Sequence, residues 1–391
     1  MKKLLFALGV VAASSSAFAV YEVHLDWLGS ESQFDAAWTA AGYGAGDALT
    51  ASDHVFLQHT TETHLEAIFA PFGVDFKISA PAIPHETLVY GATTGSSGTF
   101  GVADEIDWRN KTPDNSARIF SGNFGIIMSS TAFSRVENLE RFAHALAGTG
   151  AHELLHNHGL QHYDAFGQPD IRANNGYADV AGQQNDSIMA TGSTGLSLLR
   201  RGMPRFMNPL EMVKFEFAMG VTPTPGVTIS EAGGFNGSIA SAQNVLGSML
   251  AVSGVPALNI DGNLSSSGDE DFFKFEATAG SLITANTFSA LTELDTVDTF
   301  LTLYDSAGSV LFTNDDIQYT SSAFGTGSYS NDSIILNWEA QYTGTYYLEV
   351  GATAGSGDYE LLLVGIDAVP EPATMIGLAS LGLLALRRRK K

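Results

Sequence analysis

The pattern of hydrophobic and polar positions changes character a little past the middle of the chain, which has 391 residues. Before that point, short alternating runs typical of strands stand beside longer runs with the three- and four-residue spacing of helices. The segment VTPTPGVT, residues 221–228, carries two prolines and a glycine, which favour an extended linker. After it, helical patterns nearly vanish and β-branched and aromatic runs dominate. The chain is therefore predicted to form two globular units, residues 20–220 and 226–366.

The first unit is predicted to be a mixed α/β domain. It opens with the alternating run VYEVHLDW, and a helix is predicted in ASDHVFLQHTTETHLEAIF, with Ser52 as N-cap and an apolar face that includes Val55 and Phe56. A second helix starts near Ser134 and runs into a histidine-rich segment. Between the helices lie four strand candidates, VDFKIS, TLVYGA, GTFGVAD and NFGIIMSS. This order favours two helices packed on one twisted sheet.

The second unit is predicted to be all-β. Its strand candidates are DFFKFEA, LITANTF, TFLTLYD, SVLFT, SIILNWEA, TGTYYLEV and YELLLVG. Seven or eight strands in about 100 residues, separated by Gly, Asn, Asp or Ser, indicate an antiparallel sandwich. The predicted fold class is therefore α+β overall, a mixed α/β domain followed by an all-β sandwich.

Charge and composition narrow the classes of partner. The chain has 42 acidic and 19 basic residues, a net charge of −23, and several of the basic residues lie at the two termini. Such an acidic body repels nucleic acid and anionic membranes, which disfavours both as partners of the body. The chain contains no cysteine, so its stability must come from core burial or bound metal.

The N-terminal segment MKKLLFALGVVAASSSAFA, residues 1–19, has the order of a secretory signal peptide. A lysine pair precedes an apolar run, and Ala17 and Ala19 supply the small residues of a cleavage site before Val20. The sequence therefore predicts export, with a buried N-terminal helix as the alternative.

The C-terminal segment VPEPATMIGLASLGLLALRRRKK combines a short apolar run with a basic end. The apolar residues run from Ala373 to Leu386, and a helix of that length spans only about 21 Å of a hydrocarbon core of ~30 Å. Residues 368–391 closely resemble the PEP-CTERM sorting signal of Gram-negative bacteria. The resemblance implies transient membrane association through the tail, recognition by an exosortase-type enzyme, removal of the tail, and delivery to the cell surface or its surroundings. An ordinary C-terminal membrane helix is the alternative.

The stretch TGAHELLHNHGLQHYD carries the candidate chemistry. His152 and His156 are four residues apart, so on a helix both side chains project from one face and can reach one zinc ion. Glu153 lies beside the first ligand, where its carboxylate can hold a water. Gly159 can end the helix in a left-handed conformation, after which His162 can approach the same ion. Three neutral imidazoles and one open position define a catalytic zinc site.

The full pattern H-E-x-x-H-x-x-G-x-x-H resembles the metzincin clan of zinc endopeptidases. Met189, in NDSIMATG, matches the methionine turn of that clan, and Asn157 resembles the adamalysin-like and gametolysin-like branches. His158 stands where these families usually have an apolar residue, and Tyr163-Asp164 fits no branch, so the subfamily stays open.

The metzincin resemblance implies a zincin-like domain, with a twisted mixed sheet and an active-site helix, and an activity. The activity is that of a secreted or surface-sorted zinc metalloendopeptidase, which hydrolyses peptide bonds of protein or peptide substrates through a zinc-bound water with Glu153 as general base. The implied zinc ligands are His152, His156 and His162. An edge strand around residues 99–103 would hold the substrate backbone, and Met189 would pack beneath the ligands.

The second unit carries its own resemblance. GDEDFFKFEATAG, DTFLTLYDSAGSVLFTNDD and TGTYYLEV closely resemble the bacterial pre-peptidase C-terminal domain, a β-sandwich often appended to secreted peptidases. Acidic pairs in its loops are candidates for calcium, with solvated loops as the alternative: Asp269 with Asp271, and Asp315 with Asp316.

A second class of function stays open at this stage. The chain could be a non-catalytic surface or extracellular-matrix binding protein built on a metzincin scaffold. The presence of Glu153 favours the enzyme, because a non-catalytic descendant has no need of the general base.

Overall fold

The structure is a computed structural model, and it describes most of the chain between the termini. The described residues are 21–93, 98–111, 114–162, 165–169, 187–190, 196–219, 228–248, 250–289, 297–318 and 329–365. The predicted signal peptide (1–19), nearly all of the predicted linker (221–228) and the tail (368–391) lie outside them. Within this part of the chain, no helix is long and apolar enough to cross a membrane.

The first unit consists of helices packed around a five-stranded mixed sheet. Its helices are α1 (Ser30–Ala40), α2 (Ala51–Phe69), α3 (Arg135–His156), α4 (Leu198–Arg201) and α5 (Pro209–Ala218). Its strands are β1 (Tyr21–Asp26), β2 (Val74–Lys77), β3 (Glu86–Val89), β4 (Gly101–Ala103) and β5 (Ser116–Ile119), followed by the short β6 (Gln168–Pro169). The sheet order is β2-β1-β3-β5-β4, in which only the edge strand β4 is antiparallel to its neighbour.

Helix α3 begins where the pattern predicts, whereas α2 differs in its cap and its buried face. Ser134 caps α3 in a reciprocal capping box with Glu137. Helix α2 is capped by Thr50 rather than Ser52. Val55 and Phe56 are exposed, because α2 instead buries a stripe that includes two polar residues: His54, Leu57, Thr61, Leu65, Ile68 and Phe69. Side-chain hydrophobicity alone predicted the wrong face for the first turns.

The segment NFGIIMSS is not the strand that was predicted. Residues Ser121–Ile127 form a 3₁₀ helix, and the strand lies just before it as β5. Phe124 and Ile127 are buried at three-residue spacing, while Ile126 is exposed. The reason is the unpredicted helix α1, which packs so closely that a Cβ on Gly125 would lie 2.6 Å from the Cβ of Ala40.

The second unit is a sandwich of two sheets. Its strands are β7 (Thr228–Ser230), β8 (Gln243–Asn244), β9 (Leu250–Val252), β10 (Val255–Leu264), β11 (Glu270–Ala277), β12 (Leu282–Phe288), β13 (Asp298–Tyr304), β14 (Val310–Asn314), β15 (Ile317–Gln318), β16 (Tyr329–Ser330), β17 (Ile334–Glu339), β18 (Gly344–Ala354) and β19 (Gly357–Val364). One sheet has the order β17-β12-β19-β10-β7, with β9 paired to β10, and the other has the order β14-β13-β18-β11-β8. The pairing is antiparallel as predicted, except that the short edge strands β7 and β8 run parallel to their neighbours.

One hydrophobic core contains residues of both units, and the interior of the sandwich forms a second core. Along β19, Leu361 and Leu363 point into the sandwich, whereas Leu362 and Val364 belong to the core of the first unit. Trp108 of the first unit stacks on Phe288 of β12, with ring centroids 3.9 Å apart and planes 2° from parallel. The second unit therefore packs directly against the first through a hydrophobic interface.

Candidate metal centre

Helix α3 carries the first two candidate ligands. Both imidazoles project from one helix face, and the Nε2 atoms of His152 and His156 lie 3.2 Å apart. Each ring is oriented through its other nitrogen, because His152 Nδ1 donates to the Ile188 carbonyl (2.7 Å) and His156 Nδ1 donates to the Leu160 carbonyl (2.8 Å). With the proton on Nδ1, each Nε2 presents a lone pair.

A tight turn brings in the third histidine. Gly159 adopts φ 85°, and its N–H donates to the carbonyl of His156 at the end of the helix (2.8 Å). A Cβ at this position would also lie 2.6 Å from the Cα of Trp108, so both backbone conformation and space require glycine. The chain then doubles back, and His162 Nε2 lies 3.2 Å from His152 Nε2.

The three imidazoles fit a zinc ion. Zinc–nitrogen bonds of 2.0–2.1 Å in tetrahedral geometry separate two ligand nitrogens by about 3.3 Å, close to the two distances above. In the described part of the chain, these residues are the one group of three or more potential ligands whose atoms converge. Burial holds the pKa of His152 well below its usual range and lowers the pKa of His156 to about 4 and of His162 to about 3. All three rings are therefore neutral at physiological pH, as metal ligands must be.

Met189 is buried next to the carbonyl that orients His152. Two residues that the sequence analysis missed hold this turn. Glu211 accepts hydrogen bonds from the N–H groups of Ile188 (3.3 Å) and Met189 (2.5 Å). Arg205 Nη1 donates to the Ile188 carbonyl (3.3 Å). The Asn208–Glu211 capping box was a readable helix signal, but the contact of Glu211 with the methionine turn depends on tertiary folding.

Glu153 points toward the edge strand β4. Its side chain is buried, and a Cβ on Gly101 would lie only 2.6 Å from Glu153 Oε1. Burial raises the pKa of Glu153 to about 8, while a hydrogen bond from the backbone of Ala103 and the charge of Arg201 oppose that rise. Gly101 lies in the predicted edge strand around residues 99–103, whereas Arg201 is a further site residue that no sequence pattern indicated. Arg201 also lies 4.7 Å from the ring centre of Phe100, beside Gly101.

The residues that follow the second ligand anchor the helix end to the sheet. His158 is buried in edge contact with Tyr21 and Phe215, so it packs the core rather than joining the cluster. Asn157 Nδ2 donates to Glu86 Oε2 of β3 (2.7 Å), and both side chains are fully buried. Burial raises the pKa of Glu86 from 4.5 to about 9.

Replacing Glu86 with glutamine is expected to change how stability depends on pH. Because the pKa of Glu86 is raised in the folded protein, its contribution to stability is fully present below pH 4.5 and is lost as the pH rises to about 9. Glu86→Gln keeps an acceptor for Asn157 but does not titrate. We expect similar melting temperatures at pH 5, and at pH 9 a variant higher by at least ~2 °C, roughly 1 kcal/mol. A difference that stays constant with pH in thermal unfolding would contradict the assignment.

The structure does not gather the calcium candidates into one cluster. Asp269 accepts hydrogen bonds from the backbone N–H (2.8 Å) and hydroxyl (2.7 Å) of Ser265. Asp271 is buried on β11 and accepts a hydrogen bond from the Tyr359 hydroxyl (2.8 Å). Burial, and then the neighbouring Glu231, raise the pKa of Asp271 to about 8. The other pair, Asp315 and Asp316, lies between β14 and β15.

Comparison with known families covers the second unit and the tail. Residues 269–352 match the bacterial pre-peptidase C-terminal domain, and residues 368–391 match the PEP-CTERM protein-sorting motif. The chain therefore carries both features that the sequence analysis recognised. The sorting motif implies recognition by exosortase-type machinery. The chain is an exported protein of the cell surface or extracellular space of a Gram-negative bacterium.

Solved structures show weaker similarity. One is the pre-peptidase C-terminal domain of a collagenase from Bacillus anthracis, with 19% identity over 27% of this chain and 86% of that chain and a TM-score of 0.20. Another is PliG from Aeromonas hydrophila, a periplasmic inhibitor of g-type lysozyme, with 12% identity over 36% of this chain and 99% of that chain and a TM-score of 0.22. Neither value indicates a shared fold for the whole chain. None of the curated proteins matches it.

Proposed function

We propose that the protein is a surface-sorted zinc metalloendopeptidase of metzincin type. The observation that supports this most directly is the convergence of the Nε2 atoms of His152, His156 and His162, with a buried glutamate next to the first ligand. A structural zinc site would close the coordination sphere with a fourth protein ligand. Within the described residues, no fourth acidic, histidine or cysteine side chain joins the group.

Each residue of the site has a defined task in this proposal. His152, His156 and His162 would hold the zinc, which when bound acidifies a water molecule and polarises the peptide carbonyl. Glu153 accepts the proton of the attacking water and passes it to the leaving amine.

Strand β4 is the proposed docking site for substrate. Among the strands that the structure describes, β4 pairs with β5 alone and lies at the edge of the sheet. An extended peptide can add to such an edge through main-chain hydrogen bonds. The contact of Gly101 with Glu153 would place the substrate backbone beside the general base.

Metal analysis combined with a peptide-library digest tests the proposal against the scaffold alternative. The purified protein should contain about one zinc per chain and should cleave unfolded proteins or peptides in a zinc-dependent manner. If the protein binds zinc but cleaves no peptide in a broad library, the non-catalytic binding protein replaces the enzyme. If it binds no zinc, the metal assignment itself is wrong.

We further propose that calcium binds the second unit beside Asp271. Asp269 directly precedes β11 and Asp271 lies within it, so two carboxylates stand two residues apart, and carboxylate oxygens are the ligands that calcium prefers. Millimolar calcium should raise the melting temperature of the wild type, because binding to the native state adds RT ln(1 + [L]/Kd). Asp271→Asn should abolish the increase and Asp315→Asn should not. The reverse result would move the site to the second pair, and an unchanged wild type would remove calcium from the proposal.

A further inference from the structure

The third ligand lies on a hairpin that the second unit helps to build. We call Gln161–Pro169 the third-ligand hairpin; its residues 163–164 are outside the described part of the chain. Within it, Gln161 N–H donates to the Ala165 carbonyl (2.8 Å), and Gly167 N–H donates to the His162 carbonyl (2.7 Å). The last two residues of the hairpin form β6, which pairs antiparallel with β15 of the second unit.

Ile317 of β15 packs directly against this hairpin. Its side chain is fully buried, and a Cβ on Gly167 would lie 2.6 Å from Ile317 Cγ2. Strand β6 also packs against β17 of the sandwich. The backbone that carries His162 is therefore covered on one side by the second unit.

Lys214 links the hairpin to the sandwich from a second direction. This fully buried lysine of α5 donates from Nζ to the Ala165 carbonyl (2.8 Å) and to Asn286 Oδ1 of β12 (3.4 Å). Its Nζ also lies 5.0 Å from the ring centre of Phe288 and 4.9 Å from that of Phe166. One buried lysine side chain thus contacts the hairpin and the second unit together.

The turn before the hairpin is supported in the same way. Gly159 lies against the backbone of Trp108, whose ring stacks on Phe288. Trp108 Nε1 donates to Glu360 Oε2 (3.2 Å), and Arg109 Nη2 pairs with the same carboxylate (2.7 Å). The turn at Gly159 is therefore linked to the second unit through Trp108, and the residues that follow His162 are linked to it through Ile317 and Lys214.

We propose that the second unit positions the third metal ligand, through Ile317 and through Lys214 with Asn286, so that zinc is held tightly only while the two units stay packed together. This inference rests on the proposed function for the identity of the metal. A short surface hairpin on its own samples many conformations, and ordering it on metal binding reduces affinity. Packing against the sandwich orders the hairpin in advance. Removal of the second unit would then lower zinc affinity as well as stability.

Two buried aliphatic residues of the second unit provide a matched test in the full chain. Ile317→Ala removes the contact with the hairpin, whereas Leu348→Ala removes the same number of carbon atoms from β18, in the other sheet of the sandwich. Zinc affinity is measured by competition with a chromophoric chelator. We expect Ile317→Ala to bind zinc at least ~10-fold more weakly, the usual scale for residues that orient a ligand. Leu348→Ala should stay within about twofold of wild type, because β18 pairs with β11 and β13 and not with the strands that pack on the hairpin.

Hydrogen exchange of the metal-free protein supplies a readout that does not depend on zinc. The amides of Gln161 and Gly167 should exchange faster in Ile317→Ala than in wild type or Leu348→Ala. Lys214→Met provides a second variant that removes the donor to Ala165 without opening a large cavity. Loss of the Lys214 charge near the site would by itself tighten zinc binding. Weaker zinc binding together with faster amide exchange in this variant therefore shows that Lys214 acts by positioning the hairpin.

The outcomes separate the two proposals. If wild type binds no zinc, the metal centre and the positioning inference both fail. If wild type binds zinc and folded Ile317→Ala binds it equally well, the positioning inference alone is overturned. Equal weakening of zinc binding in Ile317→Ala and Leu348→Ala would also overturn it, because the effect would then follow stability. Should Ile317→Ala not fold, unchanged zinc affinity and exchange in Lys214→Met would overturn it.

Discussion

Glu153→Gln is expected to reduce peptide hydrolysis by ~10²-fold or more while folding and zinc content stay close to wild type. Glutamine keeps the size and shape of the side chain but has no carboxylate to accept a proton from the attacking water. The side chain is not among the three converging ligands, so the metal should remain. The measurement is kcat/KM on a cleaved peptide, together with zinc content and the melting temperature.

Glu140→Gln is the matched control for this substitution. Glu140 lies on the same helix α3 but is exposed to solvent, so its replacement should leave hydrolysis unchanged. Equal activity of wild type and Glu153→Gln would show that Glu153 is not the general base. Loss of zinc from the Gln variant would instead show that the carboxylate contributes to metal binding.

His162→Ala is expected to weaken zinc binding by more than ~100-fold, beyond the loss that follows removal of a residue that only orients a ligand. Two imidazoles on one helix face do not complete the set of three protein ligands that a catalytic zinc site requires. The measurement is zinc affinity at fixed pH, because the ligands bind metal in their neutral form.

His144→Ala serves as the control for the ligand assignment. His144 also lies on α3, but its ring packs against His64, with ring centroids 4.1 Å apart, and it takes no part in the converging group. Its replacement should leave zinc affinity near that of wild type. Full zinc retention by His162→Ala would show that the third ligand is another group.

The candidate ligands could be predicted from the sequence because their geometry is local. The spacing of His152 and His156 places both rings on one helix face whatever surrounds the helix. Gly159 ends that helix in a conformation that other residues adopt only with strain, so the return of His162 is also encoded within a few residues. The same holds for Ser134, whose capping box forms within one turn of the start of α3.

Which residues support this site was decided by tertiary structure. The contact of Glu211 with the methionine turn and that of Gly101 with Glu153 join elements that are distant along the chain. Tertiary packing likewise determines which face of α2 is buried. Helix α3 packs against the face that carries Leu57 and Leu65, so Val55 and Phe56 are exposed.

The packing of the two units against each other is the feature that the sequence predicts least. The segment YELLLVG is predicted as a strand, and the run Leu361–Val364 within it is apolar at four consecutive positions. A hydrophobic pattern predicts that a surface is buried but not which surface packs against it. In the structure, Leu362 and Val364 lie in the core of the first unit. Ile317 packs against the hairpin that carries His162, and Asn286 reaches it through Lys214. The sequence could not predict these contacts, because they form between surfaces that meet only after both units have folded.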